Sequence, residues 1–290
     1  MICPDNRYAG VYKCRGKELL IGKKTLVMGI LNCTPDSFSD GGRFTDVDAC
    51  LKQAELMVNS GCDVIDIGGE ATNPKVDPVS AEEEISRIVP VIKALRDRFD
   101  IPLSVDTYKA GVAKAALECG CDIINDITGL QGDEDMAKTA AGYGAGVILM
   151  FNSRTRGAAE EKPDTDILKR AEEELKISID TTKKAGIPDC SIMTDPGIGF
   201  GTCRDQDEML TKGLLKLGFD GRYPVLYAAS RKRFVRALSG REDVSNEELD
   251  QITAGLSVTA AAAGAAMVRV HDVSASRLAL DAFDRVFYGK

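Results

Sequence analysis

Eight polar residues equipped for chemistry, Asn32, Glu70, Asp106, Asn125, Asp195, Lys232, Arg269 and His271, sit at or just past the carboxyl ends of short apolar runs. Asp106, Asn125 and Asp195 offer acceptors and one amide donor. That set suits a flat heterocycle with an amino-pyrimidinone edge, because a buried carboxylate accepting two adjacent N–H groups makes a strong, orienting contact. Any one of the three could equally satisfy loop amides, as Asp and Asn do at strand ends. A second group is basic. Ser230-Arg231-Lys232-Arg233 follows one run, and Arg269 and His271, two residues apart, fall on the same side of a strand, which favours joint anion binding. Arg233 and Arg236 read as a solvated helix face. A third feature is the loop from Asn32 to Gly42, NCTPDSFSDGG, whose turn formers and double glycine suit a mobile lid. Asn32 at its start is suited to help hold Mg²⁺, an ion that takes few protein ligands and fills its shell with water and substrate oxygens.

Residues so far apart in sequence meet only if the strand ends converge. The apolar runs at 25–31, 63–68, 102–106, 122–126, 146–151, 191–195, 224–228 and 267–270 have the Val, Ile and Leu content of buried parallel strands. Amphipathic helices alternate with them, so the expected class is α/β. A closed barrel is favoured over an open sheet because polar residues end almost every strand, and a barrel gathers all those ends at one mouth. No GxGxxG follows the first strand, and Gly197, Gly199 and Gly201 stand after Asp195, so they read as a tight turn lining a pocket rather than a phosphate cradle. Barrel enzymes often bind phosphate after strands seven and eight, where helix N-termini supply amide donors. A small phosphorylated ligand for the basic group is the expectation.

Two helices have readable ends. Ser80 and Glu83 have capping-box spacing at the start of a helix over 80–99, which Pro90 is expected to interrupt and kink. Thr165 to Lys184 forms the second, stopped by Gly186 and Pro188. Residues 8–23 read as a small hairpin around Arg15-Gly16 that covers the barrel floor.

At 290 residues with 44% apolar and 28% charged content, the chain suits one soluble domain over 1–290. A net charge of −8 argues against broad nucleic-acid binding. No apolar stretch approaches the ~20 residues of a membrane span, and the start lacks the apolar core of a secretory signal. The expectation is therefore cytoplasmic, with no membrane partner. The nine cysteines form no Cys-x-x-Cys pair and read as free thiols.

Six segments in order, MGILNCTPDSFSDGG (28–42), DIGGEATNP (66–74), SVDTYKAGVAKAALECGCDIINDI (104–127), DPGIGFG (195–201), SRK (230–232) and RVHDV (269–273), make the chain resemble the dihydropteroate synthases over almost its full length. The resemblance implies a (βα)8 TIM barrel, usually a homodimer. Its implied activity joins 6-hydroxymethyl-7,8-dihydropterin diphosphate to 4-aminobenzoate in folate biosynthesis. By motif position, Asp106, Asn125, Asp195 and Lys232, with Met150 and Phe200, would bind the pterin. Asn32, Arg269 and His271 would bind the diphosphate, with Asn32 near Mg²⁺. Phe38, Asp40, Thr72 and Pro74 would enclose the aminobenzoate. Asp106, Lys232, Arg269 and His271 would carry catalysis.

The chain also departs from the family. Its second loop reads Glu70-Ala71-Thr72-Asn73-Pro74, where Glu-Ser-Thr-Arg-Pro is usual, so an arginine is lost. Phe151-Asn152 replaces His-Met, Thr202 replaces lysine, and Ala228 replaces glycine. Two rival readings share the pterin carboxylates. One is a methyltetrahydrofolate-using methyltransferase, which has no need of cations around a diphosphate. The other is a non-catalytic pterin-binding paralogue, suggested by Asn73.

Overall fold

A computed structural model describes residues 8–34, 47–70, 77–154 and 166–289. The chain begins with strands β1 (Gly10–Cys14) and β2 (Lys17–Ile21). They pair antiparallel, with Cys14 opposite Lys17. Arg15 and Gly16 between them have φ of 45° and 81°. Two consecutive positive φ values make the tight turn whose twist matches a hairpin.

The main element order is then β3 (Leu26–Asn32), α1 (Val47–Asn59), β4 (Val64–Gly68), α2 (Ala81–Arg98), β5 (Leu103–Asp106), α3 (Ala110–Glu118), β6 (Ile123–Asp126), α4 (Met136–Tyr143), β7 (Gly146–Met150) and α5 (Ile167–Lys184). It continues with β8 (Ile192–Asp195), α6 (Arg204–Lys212), α7 (Leu214–Leu217), β9 (Leu226–Tyr227), α8 (Arg233–Leu238), α9 (Asn246–Ala262), β10 (Met267–Val270) and α10 (Val273–Tyr288). The eight strands β3 to β10 form one parallel sheet, ordered β8-β7-β6-β5-β4-β3-β10-β9. A parallel bridge between Thr194 and Val225 joins its two ends, and the Thr194 N–H donates to Pro224 O at 3.0 Å. The result is the expected (βα)8 barrel with its hairpin.

Side chains alternate between two destinations along each strand. Those facing out, such as Val27, Ile65, Val105, Ile124 and Val147, pack under the helices. Those facing in, Met28, Val64, Ile123, Ile148, Met193, Leu226 and Met267, fill the lower barrel together with Tyr12, Cys14, Leu19 and Ile21 of the hairpin. The Tyr12 hydroxyl donates to Val147 O at 3.2 Å. The hairpin is therefore the floor. On the same end, Asp284 of α10 accepts from Thr25 N at 2.9 Å and from Arg277 Nη2 at 3.0 Å, fixing the last helix beside the start of β3.

Helix ends follow local chemistry. Ser80 caps α2 by accepting from Glu83 N at 3.1 Å. The Glu83 carboxylate turns to Arg87 Nε at 2.9 Å, so half of the expected box is made. Pro90 does not interrupt α2: the helix runs unbroken from Ala81 to Arg98, its stripe of Ile88, Val91, Ile92 and Leu95 buried on both sides of the proline. Core packing outweighs one missing backbone bond. Asp166 caps α5, accepting from Lys169 N at 3.2 Å, and Gly186 with φ of 95° follows its end. Cys14, Cys33, Cys50, Cys62, Cys119, Cys121, Cys190 and Cys203 are free thiols; Cys3 lies outside the described residues. No helix among the described residues is long and apolar enough to cross a membrane.

Candidate functional site

Above the apolar layer the inward positions change character. In register across β3, β4, β5 and β6 stand Asn32, Gly68, Asp106 and Asn125. One step deeper on β4 lies Asp66, and Met150 on β7 is level with Asp195 on β8. Gly68 leaves room between its neighbours: a Cβ there would lie 3.8 Å from both Asn32 Oδ1 and Asp106 Cβ. Asn32, exposed at the rim, thus flanks the same opening as Asp106.

Arg269 on β10 spans this layer. Its Nε donates to Asp66 Oδ2 at 2.6 Å and its Nη2 to Asp106 Oδ2 at 2.7 Å. Asn125 Nδ2 donates to the same Asp66 oxygen at 3.1 Å. Burial pushes the Asp106 carboxyl up to about 7, with Arg269 opposing and the like charge of Asp66 adding to the rise. Burial likewise lifts Asp195 to about 6, against the attraction of Lys232. Lys232 is drawn down to about 8, chiefly by burial, with Asp195 pulling the other way. Both Lys232 and Arg269 act on Asp195. The acidic and basic groups therefore share one mouth.

Three local devices hold these side chains. Gly197, Gly199 and Gly201 have φ of 68°, 78° and 82°, the left-handed turn expected of DPGIGFG. Asp207 Oδ1 fastens that turn by accepting from Gly199 N at 2.9 Å and Thr202 Oγ1 at 2.5 Å. Thr202 is thus a bracing residue, and Arg233, expected to be only solvated, donates from Nη2 to Thr202 O at 3.1 Å. The turn presents Phe200, whose ring centroid lies 4.5 Å from Lys232 Nζ, while Lys232 donates to Ile198 O at 2.9 Å. Arg231, at φ 57°, grips Asp250 of α9 with two bonds of 2.8 and 2.6 Å and so fixes the backbone that carries Lys232.

His271 is not a cation here. Burial, then Arg231, Arg269 and Lys232, hold it down to about 3. Ser230 Oγ accepts from His271 N at 3.2 Å and lies 2.9 Å from Nδ1. The Ser230 hydroxyl has one donor and two acceptor sites, so it can donate to Nδ1 or accept from it according to the imidazole tautomer. As a neutral ring His271 carries a single N–H, which meets an anion in the Nε2–H tautomer. Helix N-termini contribute less than expected after the last two strands: α10 is capped by Asp272, which accepts from Ala275 N at 3.0 Å, and α8 spans only six residues.

Glu70 leaves the group. Its carboxylate accepts from Tyr108 Oη at 2.9 Å and pairs with Lys109, which also reaches Glu84 at 2.7 Å. Arg222 stands at the opposite end of the barrel, paired with Asp189 at 2.8 Å. Arg154 lies at the mouth, exposed, its Cγ beside Gly201. Phe38, Asp40, Thr72, Asn73 and Pro74, and most of the loop after Asn32, lie outside the described residues. Among the described residues no cluster of three His, Cys, Asp or Glu side chains could hold a metal. The residue that sequence reasoning missed is Asp66. Its signal was present: a carboxylate in the middle of an apolar strand, on the inward parity of Val64 and Gly68, is an anomaly needing a partner.

Comparison with known proteins gives this geometry a context. A model of the pterin binding enzymes matches residues 28–271. The dihydropteroate synthase of Streptococcus pyogenes serotype M1 is 45% identical over 264 residues, 90% of this chain and 95% of that protein. A crystal structure of the Clostridium difficile dihydropteroate synthase in the presence of pteroic acid superposes with a TM-score of 0.85 at 38% identity, covering 92% of this chain and 98% of that one. The Xanthomonas albilineans enzyme with 4-aminobenzoic acid gives a TM-score of 0.87 at 36% identity, covering 96% and 98%. With its carboxylates, cations and glycine turn standing on that shared barrel, this chain belongs to the pterin-binding enzymes and, among them, to the dihydropteroate synthase family.

Proposed function

We propose that the protein condenses 6-hydroxymethyl-7,8-dihydropterin diphosphate with 4-aminobenzoate, giving 7,8-dihydropteroate and diphosphate. The observation that carries this reading is the coupling of Asp106 and Asp195 to Arg269 and Lys232 across one mouth. One bicyclic ring can then meet acids while its anionic substituent meets cations. Asp106, Asn125 and Asp195 would hold the ring edge, with Met150, Phe200 and Lys232 beside it. Arg269, Lys232 and the neutral Nε2–H of His271 would hold the diphosphate.

The aryl amine nitrogen supplies the electron pair for the new carbon–nitrogen bond, the methylene carbon–oxygen bond breaks, and the departing diphosphate takes that bond's electrons. The proton lost by nitrogen passes to diphosphate or solvent. No protein nucleophile is needed, so catalysis rests on alignment and on stabilising charge at the leaving oxygen. Mg²⁺ would neutralise part of that charge. The hard oxygen of Asn32 at the rim fits an ion that keeps most of its shell in water and substrate. The family resemblance extends the proposal to a cytoplasmic homodimer. Leu278 and Val286, 76% and 77% exposed on α10, supply an apolar outer face for such an interface, which sedimentation can check.

The test supplies both substrates with Mg²⁺ and measures dihydropteroate and diphosphate in equal amounts. Chelation should stop turnover while leaving the melting temperature in place. Tight pterin binding with no product would instead mark a non-catalytic pterin-binding protein and overturn the proposal.

A further inference from the structure

Asp66 is fully buried in the middle of β4, beneath the groups assigned to the ligand. Its Oδ2 accepts from Arg269 Nε at 2.6 Å and from Asn125 Nδ2 at 3.1 Å, so one oxygen ties β4 to β6 and β10. Its Oδ1 has no hydrogen-bond partner, nor does the buried Oγ of Ser104, its register partner on β5. A buried carboxylate is costly unless its surroundings compensate, and here half of it is unsatisfied. Stability alone does not account for such a group.

What it does account for is direction. Arg269 has several side-chain torsions, and two bonds from different nitrogens to Asp66 and Asp106 fix its guanidinium plane. Nη1 makes neither of these bonds and is left for a ligand anion. Asn125 can present either end of its amide, and spending Nδ2 on Asp66 leaves its carbonyl oxygen for a ligand. We propose that Asp66 is a positioning residue which, without touching either substrate, sets the plane of Arg269 and the amide orientation of Asn125 for pterin diphosphate. This rests on the function proposed above.

The experiment compares the wild type with Asp66→Asn by calorimetric binding of 6-hydroxymethylpterin and of the pterin diphosphate across pH 5.5–8.5, alongside turnover. Asparagine keeps the shape and can donate to Ser104, so the fold should persist. Pterin affinity should fall at least tenfold, and kcat should fall with the aminobenzoate KM within twofold of wild type. The pH dependence adds a readout that a merely structural role would not move. Asp106 faces Asp66 from β4, Arg269 from β10, Lys232 before α8 and Glu84 from α2. Wild-type affinity should weaken as pH drops through about 7, where Asp106 gains its proton. Removing a like charge makes Asp106 ionise more readily, so the inflection should move down by about one pH unit. If Asp66→Asn does not fold, Asp66→Ser is read the same way, with added formate expected to restore binding. Unchanged affinity and an unmoved inflection would overturn the proposal. Because pterin binding is read separately from turnover, a wild type that binds but makes no dihydropteroate sinks the function and leaves this inference standing or falling on its own data.

Discussion

Asn73 removes a positive charge from the second loop, and the structure narrows where a replacement can come from. Arg222 is committed to Asp189 at the far end of the barrel, whereas Arg154 rests against Gly201 at the mouth. Arg154→Ala should raise the aminobenzoate KM about five- to tenfold, in keeping with ~1–1.5 kcal/mol from one exposed charged contact, with kcat unchanged. Asn73→Arg should lower it; steady-state kinetics on both variants checks the pair, and an unmoved KM in Arg154→Ala would assign the charge elsewhere. At this scale the sequence was only partly legible. It marked Asp106, Asn125, Asp195, Lys232 and Arg269 as neighbours, because strand ends in a barrel must converge. It did not reveal that His271 is neutral, since that depends on burial beside Arg231, Arg269 and Lys232, which no local spacing encodes. Nor did it show Asp66, because attention to strand ends passes over a strand's middle.

The strands were the most legible elements. Each apolar run became a strand within a few residues of its expected bounds, because buried parallel strands leave little room for polar side chains. The interruption expected at Pro90 is absent for the opposite reason: a local rule about one missing N–H gave way to a helix stripe packed along its whole length. The DPGIGFG turn shows a local signal that translates directly into geometry. A Cβ on Gly197 would collide with Phe151 O at a φ of 68°, on the segment that presents Phe200. Gly197→Ala should cost about 2–4 kcal/mol, lowering the denaturation midpoint and weakening pterin affinity together. A variant that keeps both would show that the turn can shift without consequence.

For the whole molecule, the barrel's two ends divide the labour. The mouth carries charges that burial disfavours, while the floor carries the stitches that hold the chain closed. Asp284 accepts from Thr25 N, Thr25 Oγ1 and Arg277 Nη2, and Arg277 returns a 2.7 Å bond to Thr25 O. Asp284→Ala removes the buried carboxylate of Arg277 and leaves it the more exposed Asp281 at 2.8 Å, so it should cost about 2–4 kcal/mol, below the full penalty of an unpaired buried charge, read as a lower melting temperature, with kcat of the folded enzyme intact. A fall in kcat at unchanged stability would contradict this separation. The hairpin completes the floor, where Tyr12 and its neighbours plug the space beneath Met28 and Ile148. A vessel stoppered at one end imposes an itinerary on its cargo: whatever sits deepest must arrive first, and nothing can exit by a back door while the entrance is occupied.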